Sequence, residues 1–501
     1  MRLIPDSRRR SLLAAASALP LSVAAPSRAQ KASDPGAVLR IALSGEVTSL
    51  DPHFLNAAPN NTVARHLYDS LVQVDADGRL QPALAESWRT LDPLTWEFRL
   101  RRGVRFHNGE PFTAETVRYA FERAAAAEST NKDKATFTGI EAIRVTDPHV
   151  VAIRLKANNP DFLFALGQAT AVIVEPRSAA TNATAPVGTG PYRVENWIRG
   201  SSLTLAKWPD YRDAAKIRMS RVTWRFISDP AAQIAAILAG DVDAMPRITA
   251  KAIDAVKGDP RFRVQVGGSR AKTILAINNK KKPLDDVRVR RAIAMAIDRK
   301  AVIAGAADGF GVPIGSHYVP GAFGYVDTTG VNPHDPAKAR ALLAEAGVKT
   351  PLELTLKLPP PPYSRQGGEV IAAQLAKVGI VARIQNVEWA QWMSGVYTNR
   401  DYDLTIISHV EPLDIGNYAK DNYYWNYESP KFRALFAKIS ATGDDAERAK
   451  LLGEAQRLIA QESPNAFLYQ PQWVSVASAR LRGLWKDVPI FANDLSLLHW
   501  E

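Results

Sequence analysis

The sequence predicts an α/β fold in which a largely parallel sheet is covered by helices on both faces. The clearest observation is that strand and helix patterns alternate in the second half of the chain. Leu352–Leu358 alternates apolar and polar residues, and Ile380–Val387 and Tyr402–Ser408 are two further strand patterns. Helical patterns at Glu369–Val378 and Glu388–Tyr397 separate these strands. Such alternation is typical of parallel sheets, whose ligands bind beyond the carboxyl ends of the strands.

Individual elements are predicted elsewhere in the chain. Thr95–Leu100 alternates as a half-buried strand does, and Thr113 is a suitable cap for the helix pattern that follows it. Asp335 followed by Pro336 predicts the start of another helix, which Gly347 ends. The prolines at 359–362 are expected to lie in a surface loop.

The composition excludes several classes of function. The 501 residues are 46% hydrophobic and 23% charged, which is typical of a soluble globular protein. There is no cysteine, so disulfides, thiolate catalysis, cysteine-ligated metals and a bacterial lipid anchor are excluded. The net charge of +12 is spread along the chain. Its densest cluster, Lys280–Lys282 with nearby arginines, is expected to be solvated, so we do not expect nucleic-acid binding.

The N-terminus has the features of an export signal. Arg8, Arg9 and Arg10 precede an apolar stretch, Leu12–Ala25, of about 14 residues, which is too short to span a bilayer. Ser27-Arg28-Ala29 then supplies small residues for cleavage before Gln30, so residues 1–29 are predicted to be a signal peptide. The paired arginines resemble a twin-arginine signal, and an ordinary secretory signal is the alternative. We expect a periplasmic protein without a lipid anchor.

No catalytic motif is found. The chain has no G-x-S-x-G elbow, no H-E-x-x-H and no P-loop. Gly188-Thr189-Gly190 lacks the rest of a dinucleotide-binding motif, and the closest pair of histidines, His53 and His66, lacks metal-site spacing. We therefore expect neither an enzyme nor a cofactor or resident metal. A secreted hydrolase remains the alternative from another class, and turnover assays with peptides and esters would reveal it.

Several motifs occur in a fixed order along the chain: Leu50-Asp51-Pro52, Leu84–Trp88, Leu100–Gly109, Pro111–Ala114, Val187–Tyr192, Ile277–Asn279, Asp286–Ala292 and Ala296–Arg299. Together they resemble the signature of the oligopeptide/dipeptide/nickel class of extracytoplasmic solute-binding proteins (family 5), which serve ABC importers. The resemblance runs from about residue 38 to residue 480.

The resemblance implies a two-lobed fold with a ligand cleft between the lobes. Lobe one would comprise residues 30–268 and 477–501, with residues 78–185 as an extra subdomain. Lobe two would comprise residues 269–476, and the chain would cross between the lobes near Gly267-Gly268 and near Val476. The implied partners are a small ligand and the permease subunits in the inner membrane, and we expect a monomer.

The resemblance also points to ligand-binding residues. In peptide-binding members, a tryptophan follows the strand that Tyr402–Ser408 resembles, and an acid a few positions later pairs with the ligand's amino group. Here His409 stands at the tryptophan position, and Glu411 and Asp414 are the available acids. Each acid has a plainer interpretation as a loop carboxylate, and His409 as an imidazole bonded to loop backbone.

Five further residues are candidates for the same site. Trp389 matches a ligand-stacking position in the family, Trp392 lies beside it, and Tyr424 and Trp425 belong to an aromatic run that could wall the cavity. Arg270, just past the hinge, could pair with a ligand carboxylate. The plainer interpretations are core packing for the aromatic residues and solvent exposure for Arg270.

The leading hypothesis is capture of a peptide or a similar small amino-bearing solute. A metal chelate, an opine or another small solute is the alternative, because His409 departs from the peptide-binding pattern. Nickel-binding members carry a histidine in the stretch that corresponds to Asp421–Tyr427, and this chain has none there.

Overall fold

The structure is a computed structural model that describes residues 38–54, 58–159, 161–248, 253–411, 414–490 and 494–501. The predicted signal peptide, its paired arginines and the cleavage site before Gln30 lie outside the described residues. None of the described helices combines the length and the apolar character needed to cross a membrane.

The strands of the described chain are, in order, β1 Val38–Leu43, β2 Val72–Val74, β3 Leu80–Pro82, β4 Ala85–Asp92, β5 Thr95–Leu100, β6 Ile140–Asp147, β7 Val150–Leu155, β8 Tyr192–Ile198, β9 Ser202–Lys207, β10 Arg221–Phe226, β11 Ala244–Ile248, β12 Phe262–Gly268, β13 Lys272–Ile277, β14 Gly311–Pro313, β15 Leu352–Leu358, β16 Ile380–Asn386, β17 Leu404–His409, β18 Asn465–Ser478, β19 Leu481–Arg482 and β20 His499–Trp500.

The α-helices of the same ranges are α1 Ala58–Leu67, α2 Ala114–Ala125, α3 Lys134–Thr138, α4 Phe162–Leu166, α5 Pro230–Leu238, α6 Val287–Ala296, α7 Arg299–Ala307, α8 Pro336–Glu345, α9 Pro362–Ala376, α10 Trp389–Gln391, α11 Pro430–Ala441 and α12 Asp445–Glu462. Helix α10 continues as a π-helix, Trp392–Thr398. Short 3₁₀ turns include Asp414–Ala419.

One sheet runs through most of the molecule in the order β16-β15-β17-β13-β18-β11-β1-β10-β9-β8, and β12 and β14 also pair with β18. Strand β18 is its central member. It pairs with β13 as far as Tyr469 and with β12 from Gln472 onward. The chain therefore passes between the two halves of the sheet at β18 and again between β12 and β13.

The predicted parallel arrangement is only partly correct. Strand β15 is parallel to β16 and to β17, which are the strands on which the prediction was based. Strand β13 is antiparallel to both β17 and β18, so this half of the sheet is mixed. The prediction was wrong there because β13 and β18 come from distant parts of the chain that the alternating pattern did not include.

Helix α9 begins earlier than predicted. It starts at Pro362 rather than at Glu369, so the last of the prolines at 359–362 lies in its first turn. A proline is tolerated there because its missing N–H has no partner in the helix. Gly367 and Gly368 obscured the helical pattern, yet they let the helix approach its neighbours. A Cβ at Gly368 would lie 2.3 Å from Leu358.

Other predicted elements are confirmed. Strand β5 has the predicted bounds, and Thr113 is the N-cap residue of α2. The side chain of Asp335 accepts a hydrogen bond from the Lys338 amide at the start of α8, and Gly347 beyond its end has a φ of 73°. Strands β4, β5, β7 and β6 form a separate antiparallel sheet, which packs with α2 inside the proposed extra subdomain.

The apolar cores lie on different sides of the β12–β13 crossing. One large core includes Leu39, Phe98 and Trp224, and its members precede the crossing or lie at and beyond Ala477. Two other cores, which include Leu356 and Trp425, draw on residues between 274 and 469. The cores support the proposal of two lobes, one comprising residues 30–268 and 477–501 and the other residues 269–476.

Candidate functional site

A cavity of about 920 Å³ is lined by residues of both proposed lobes, and we call it the cleft cavity. This volume suits a small solute. Lobe one contributes Asp133, Asn159, Asp161 and Gln168, among others. On the lobe-two side, the cavity lies beyond the carboxyl end of β17, which ends at His409. The last residue of β17 therefore lies in the cavity wall.

Six of the eight predicted ligand residues line the cleft cavity: Arg270, Trp392, His409, Glu411, Asp414 and Tyr424. The other two lie behind or beside it. Trp389 is 43% exposed, and its ring meets Trp392 edge-on with the centroids 5.8 Å apart. Trp425 is fully buried and stacks on Tyr418 with the centroids 4.4 Å apart.

Three side chains hold the carboxylate of Asp414. The Lys272 Nζ lies 2.5 Å from Oδ1, and Oδ2 lies 3.0 Å from Nε2 of His317 and 3.1 Å from Nδ1 of His409. All four side chains are at most 9% exposed. Lys272 also donates a hydrogen bond to the backbone oxygen of Glu411. We call Lys272, His317, His409 and Asp414 the Asp414 cluster.

The outer nitrogens of the two imidazoles are satisfied as well. The Tyr418 hydroxyl lies 3.1 Å from Nδ1 of His317, and the Tyr424 hydroxyl lies 2.9 Å from Nε2 of His409. The consistent assignment has each imidazole donating to Asp414 and accepting from a tyrosine. The cluster is therefore connected to the cavity wall through His409 and Tyr424.

Electrostatics favour an ionised Asp414 beside a neutral His317. Burial opposes ionisation of Asp414, but its interactions with His317 and Lys272 and its hydrogen bonds hold its pKa well below the ordinary value. Burial lowers the pKa of His317 to about 4, although Asp414 acts in the opposite direction. His317 is thus neutral at neutral pH, and Lys272 balances the charge of Asp414.

The donor atoms of His317, His409 and Asp414 lie within 4.8 Å of one another, close enough to share a metal ion. A divalent ion at that point would lie beside the Lys272 ammonium, which touches the same carboxylate. The two positive charges would repel each other in a poorly solvated site. We therefore interpret these side chains as a hydrogen-bonded support for the loop rather than as a metal site.

An aromatic wall closes one side of the cleft cavity. Trp392 meets Tyr424 edge-on with the centroids 5.8 Å apart, and Tyr397 lies 5.5 Å from Tyr424. The indole N–H of Trp392 donates to Oγ1 of Thr405 at 3.0 Å, which fixes its ring. Rigid aromatic faces of this kind provide contact area for many ligands.

Arg270 is a half-buried cation at the cavity wall. Its Nη1 lies 3.5 Å from the backbone oxygen of Pro320, and within the described ranges no carboxylate forms an ion pair with it. Burial lowers the pKa of Arg270, while Tyr318 and Asp487 act in the opposite direction. A cation in this position favours a ligand that carries a carboxylate.

Lys272 and His317 were not predicted from the sequence. Lys272 is the first residue of β13, a strand that is buried at every position. A lysine in a fully buried strand indicates that its ammonium is paired with a buried acceptor, because an unpaired buried charge is costly. His317 lies in an irregular segment after β14, and nothing in the sequence around it indicated that it would meet Asp414.

Two contacts join the lobes at the side of the cavity. Arg448 of α12 forms an ion pair with Asp161, and Asn158 donates to the backbone oxygen of Ser440. Asp161 and Asn158 belong to the proposed extra subdomain of lobe one. The two contacts therefore hold the lobes close together in this structure.

Comparison with known proteins identifies the family. Residues 79–430 match the sequence model of the bacterial extracellular solute-binding proteins, family 5, middle region. The chain belongs to this family. The resemblance derived from the motifs is thus confirmed, and the protein is the substrate-binding component of an ABC transporter.

Individual relatives agree with this assignment. The glutathione-binding protein GsiB of Escherichia coli (strain K12) is 28% identical over 473 residues, covering 89% of this chain and 91% of GsiB. The structure of AgaA from A. tumefaciens R10, in complex with agropinic acid, is 28% identical with a TM-score of 0.78, covering 93% of this chain and 99% of AgaA. HbpA2 from Haemophilus parasuis is 22% identical with a TM-score of 0.83, covering 93% and 100%.

These matches confirm the predicted α/β, two-lobed periplasmic-binding fold. The family and the named relatives are binding proteins rather than enzymes.

Proposed function

We propose that the family 5 protein works in the periplasm, where it encloses a small peptide or another amino-acid-derived solute between its lobes and passes it to the membrane permease. It would be exported by the twin-arginine route, lose residues 1–29, and act as a free monomer. The observation that carries the proposal is the cleft cavity, which is lined by both lobes and is large enough for such a solute.

The wall residues have distinct proposed roles. Arg270 would bind a ligand carboxylate, because its half-buried charge has no ion-pair partner within the described ranges. The Tyr424 hydroxyl, which His409 holds in place, would supply a polar contact, and Trp392 would supply a flat apolar face. Glu411, which is exposed at the cavity, is available for a cationic group of the ligand.

The two tryptophans that do not line the cavity have supporting roles in this proposal. Trp389 would hold Trp392, and Trp425 would hold the aromatic wall from behind.

An opine-like solute is the second candidate. AgaA, at 28% identity, was solved in complex with agropinic acid. The Lys272–Asp414 ion pair also favours a ligand that does not depend on its amino group.

Native mass spectrometry of the protein purified from its own periplasm tests the proposal. We expect a monomer whose chain begins at Gln30 and which retains a small solute. A panel of glutathione, short peptides and agropinic acid then identifies the class by calorimetry. If no solute is retained and no member of the panel binds, the proposed function is wrong.

A variant tests the site itself. We expect Arg270→Ala to weaken binding of the identified solute at least about tenfold, because a charge-assisted hydrogen bond is lost. Arg102→Ala is the matched control, since Arg102 is exposed and does not line the cleft cavity. Equal affinity of the Arg270→Ala variant and the wild type would contradict the assignment of Arg270.

A further inference from the structure

Both oxygens of the Asp414 carboxylate are already engaged by the protein. Oδ1 faces the Lys272 ammonium at 2.5 Å, and Oδ2 lies within hydrogen-bond distance of the two imidazoles. The acid lines the cleft cavity, yet its side chain is only 7% exposed. Because the carboxylate is buried and each of its oxygens already faces a donor, a ligand ammonium would have to compete with these partners for it.

Lys272 is fixed where it stands. It is the first residue of β13, its backbone pairs with His409 of β17, and its side chain is 1% exposed. Its Nζ has two oxygen partners, the carboxylate of Asp414 and the backbone oxygen of Glu411. Moving it away would leave a buried ammonium and a buried carboxylate unpaired, which is strongly unfavourable.

The other charges at the cleft cavity leave a small positive surplus. Asp161 is paired with Arg448, as Asp414 is paired with Lys272. Among the charged residues of the described lining, three cations then face two carboxylates: Lys132, Arg270 and Lys420 against Asp133 and Glu411. The hydroxyl of Thr170 also donates to Asp133 at 2.5 Å.

We infer that Lys272 is a specificity-determining residue, because it occupies the position on Asp414 that a ligand ammonium would take. The cleft cavity then selects solutes that carry a carboxylate and have no ammonium group at this end. Of these two statements, only the selectivity for solutes rests on the proposed function. The placement of Lys272 on Asp414 can be tested without any transported solute.

Chemical rescue tests the placement. Lys272→Ala removes the ammonium and leaves an uncompensated carboxylate in a space of matching shape. We expect ethylammonium chloride to raise the melting temperature of this variant by several degrees and to leave that of the wild type unchanged. Tetramethylammonium, which is bulkier and has no N–H donor, should raise neither. Asp414→Asn combined with Lys272→Met is the matched control, and it should show no rescue.

Two outcomes of the rescue experiment would overturn the inference. An equal response of the wild type to ethylammonium would show that Asp414 is open to a ligand amine. A folded Lys272→Ala variant without any response would show that Asp414 offers no ammonium position. If Lys272→Ala does not fold alone, its refolding yield in ethylammonium, compared with that in tetramethylammonium, gives the same decision.

A pair of dipeptides tests the consequence for ligands. We expect the wild type to bind Ala-Ala no more tightly than N-acetyl-Ala-Ala, and we expect Lys272→Ala to bind Ala-Ala at least tenfold more tightly than the wild type does. A wild type that prefers Ala-Ala over its acetylated form tenfold or more would overturn the inference. That result would leave the proposed function intact, whereas a failure of the whole solute panel would leave the rescue result intact.

Discussion

Four histidines, of which His107 is half-buried and the other three are buried, lie in surroundings that oppose a positive charge. Burial is the largest cause in each case, and it lowers the pKa of His53, His107 and His317 to about 4 and that of His66 to about 3. His66 has the lowest of the four pKa values, because the charge of Arg65 acts in the same direction as burial. These imidazoles are neutral in the folded protein at neutral pH.

These shifts predict a loss of stability in weak acid. The unfolded chain binds protons near the ordinary histidine pKa of 6.5, whereas the folded chain resists them until the pH approaches 4. Each unit of pKa shift corresponds to about 1.4 kcal/mol, so the free energy of unfolding should fall as pH drops from 6.5 to 4. Urea unfolding at pH 7, 6 and 5 measures the slope.

The matched variant is His66→Phe, which removes one titrating group from the buried face against Trp224. It should reduce the slope of stability against pH. A wild-type unfolding midpoint that stays constant from pH 7 to pH 5 would contradict this account.

At the residue scale, the sequence could place part of the site. His409 and Asp414 were predicted because they follow a recognisable strand, and both line the cleft cavity. Lys272 and His317 were missed, because they reach Asp414 from positions 142 and 97 residues earlier in the chain, a proximity that only the sheet pairing and loop packing create. Trp425 was predicted beside Tyr424 but lies in the core, since the sequence does not reveal which of two adjacent aromatics faces a cavity.

At the element scale, the crossing after β12 is tightly packed. Gly267 lies opposite Trp473 of β18, and a Cβ on it would lie 1.6 Å from the backbone oxygen of Lys486. The neighbouring Gly268 amide donates to Oδ1 of Asp487 at 2.7 Å, and its oxygen accepts from the Val488 amide at 2.9 Å. A C-terminal segment of the chain is therefore packed directly against the crossing.

We predict that Gly267→Ala destabilises the protein by at least about 2 kcal/mol, because backbone must move to admit the methyl group. Urea unfolding of the variant measures the change. Gly443→Ala is the control, since apart from its chain neighbours no atom of the described residues lies within 4 Å of its added Cβ. It should change stability by less than about 0.5 kcal/mol. Equal effects of the two substitutions would contradict the packing argument.

The elements show what local patterns could predict. Strand β15 and helix α8 were found because periodicity and capping residues act over a few neighbours. The early start of α9 was missed because this stretch contains proline and glycine, which usually disfavour a helix. The proline is acceptable because it lies in the first helical turn, and the glycine is acceptable because the helix packs closely against Leu358. The antiparallel pairing of β13 was missed for the same reason, since pairing is a contact between distant segments.

At the scale of the whole molecule, the lobes are held together beside the cavity by Asp161 and Arg448 and by Asn158 and Ser440. Burial raises the pKa of Asp161, although Arg448 acts in the opposite direction. The ion pair with Arg448 thus favours the charged form of this buried carboxylate. Since Asp161 and Arg448 lie in different proposed lobes, we expect their ion pair to favour closure, as a bound solute would.

We predict that Arg448→Ala shifts the ligand-free protein toward an open arrangement and weakens solute binding several-fold. Small-angle X-ray scattering should show a larger radius of gyration for the variant. Lys450→Ala is the control, because Lys450 is exposed on the same helix and, among the described residues, forms an ion pair with Glu447 alone. An unchanged radius together with unchanged affinity would exclude Asp161 and Arg448 as a closing contact.

Strand β18 has a consequence for the way in which the molecule comes apart. The two lobes have separate apolar cores, yet the same fourteen-residue strand pairs with β13 in one half of the shared sheet and with β12 in the other. If either lobe melted, the other would be left with an exposed strand edge and unpaired backbone groups. The shared strand therefore couples the cores of the two lobes, so a substitution that destabilises one lobe should also destabilise the other.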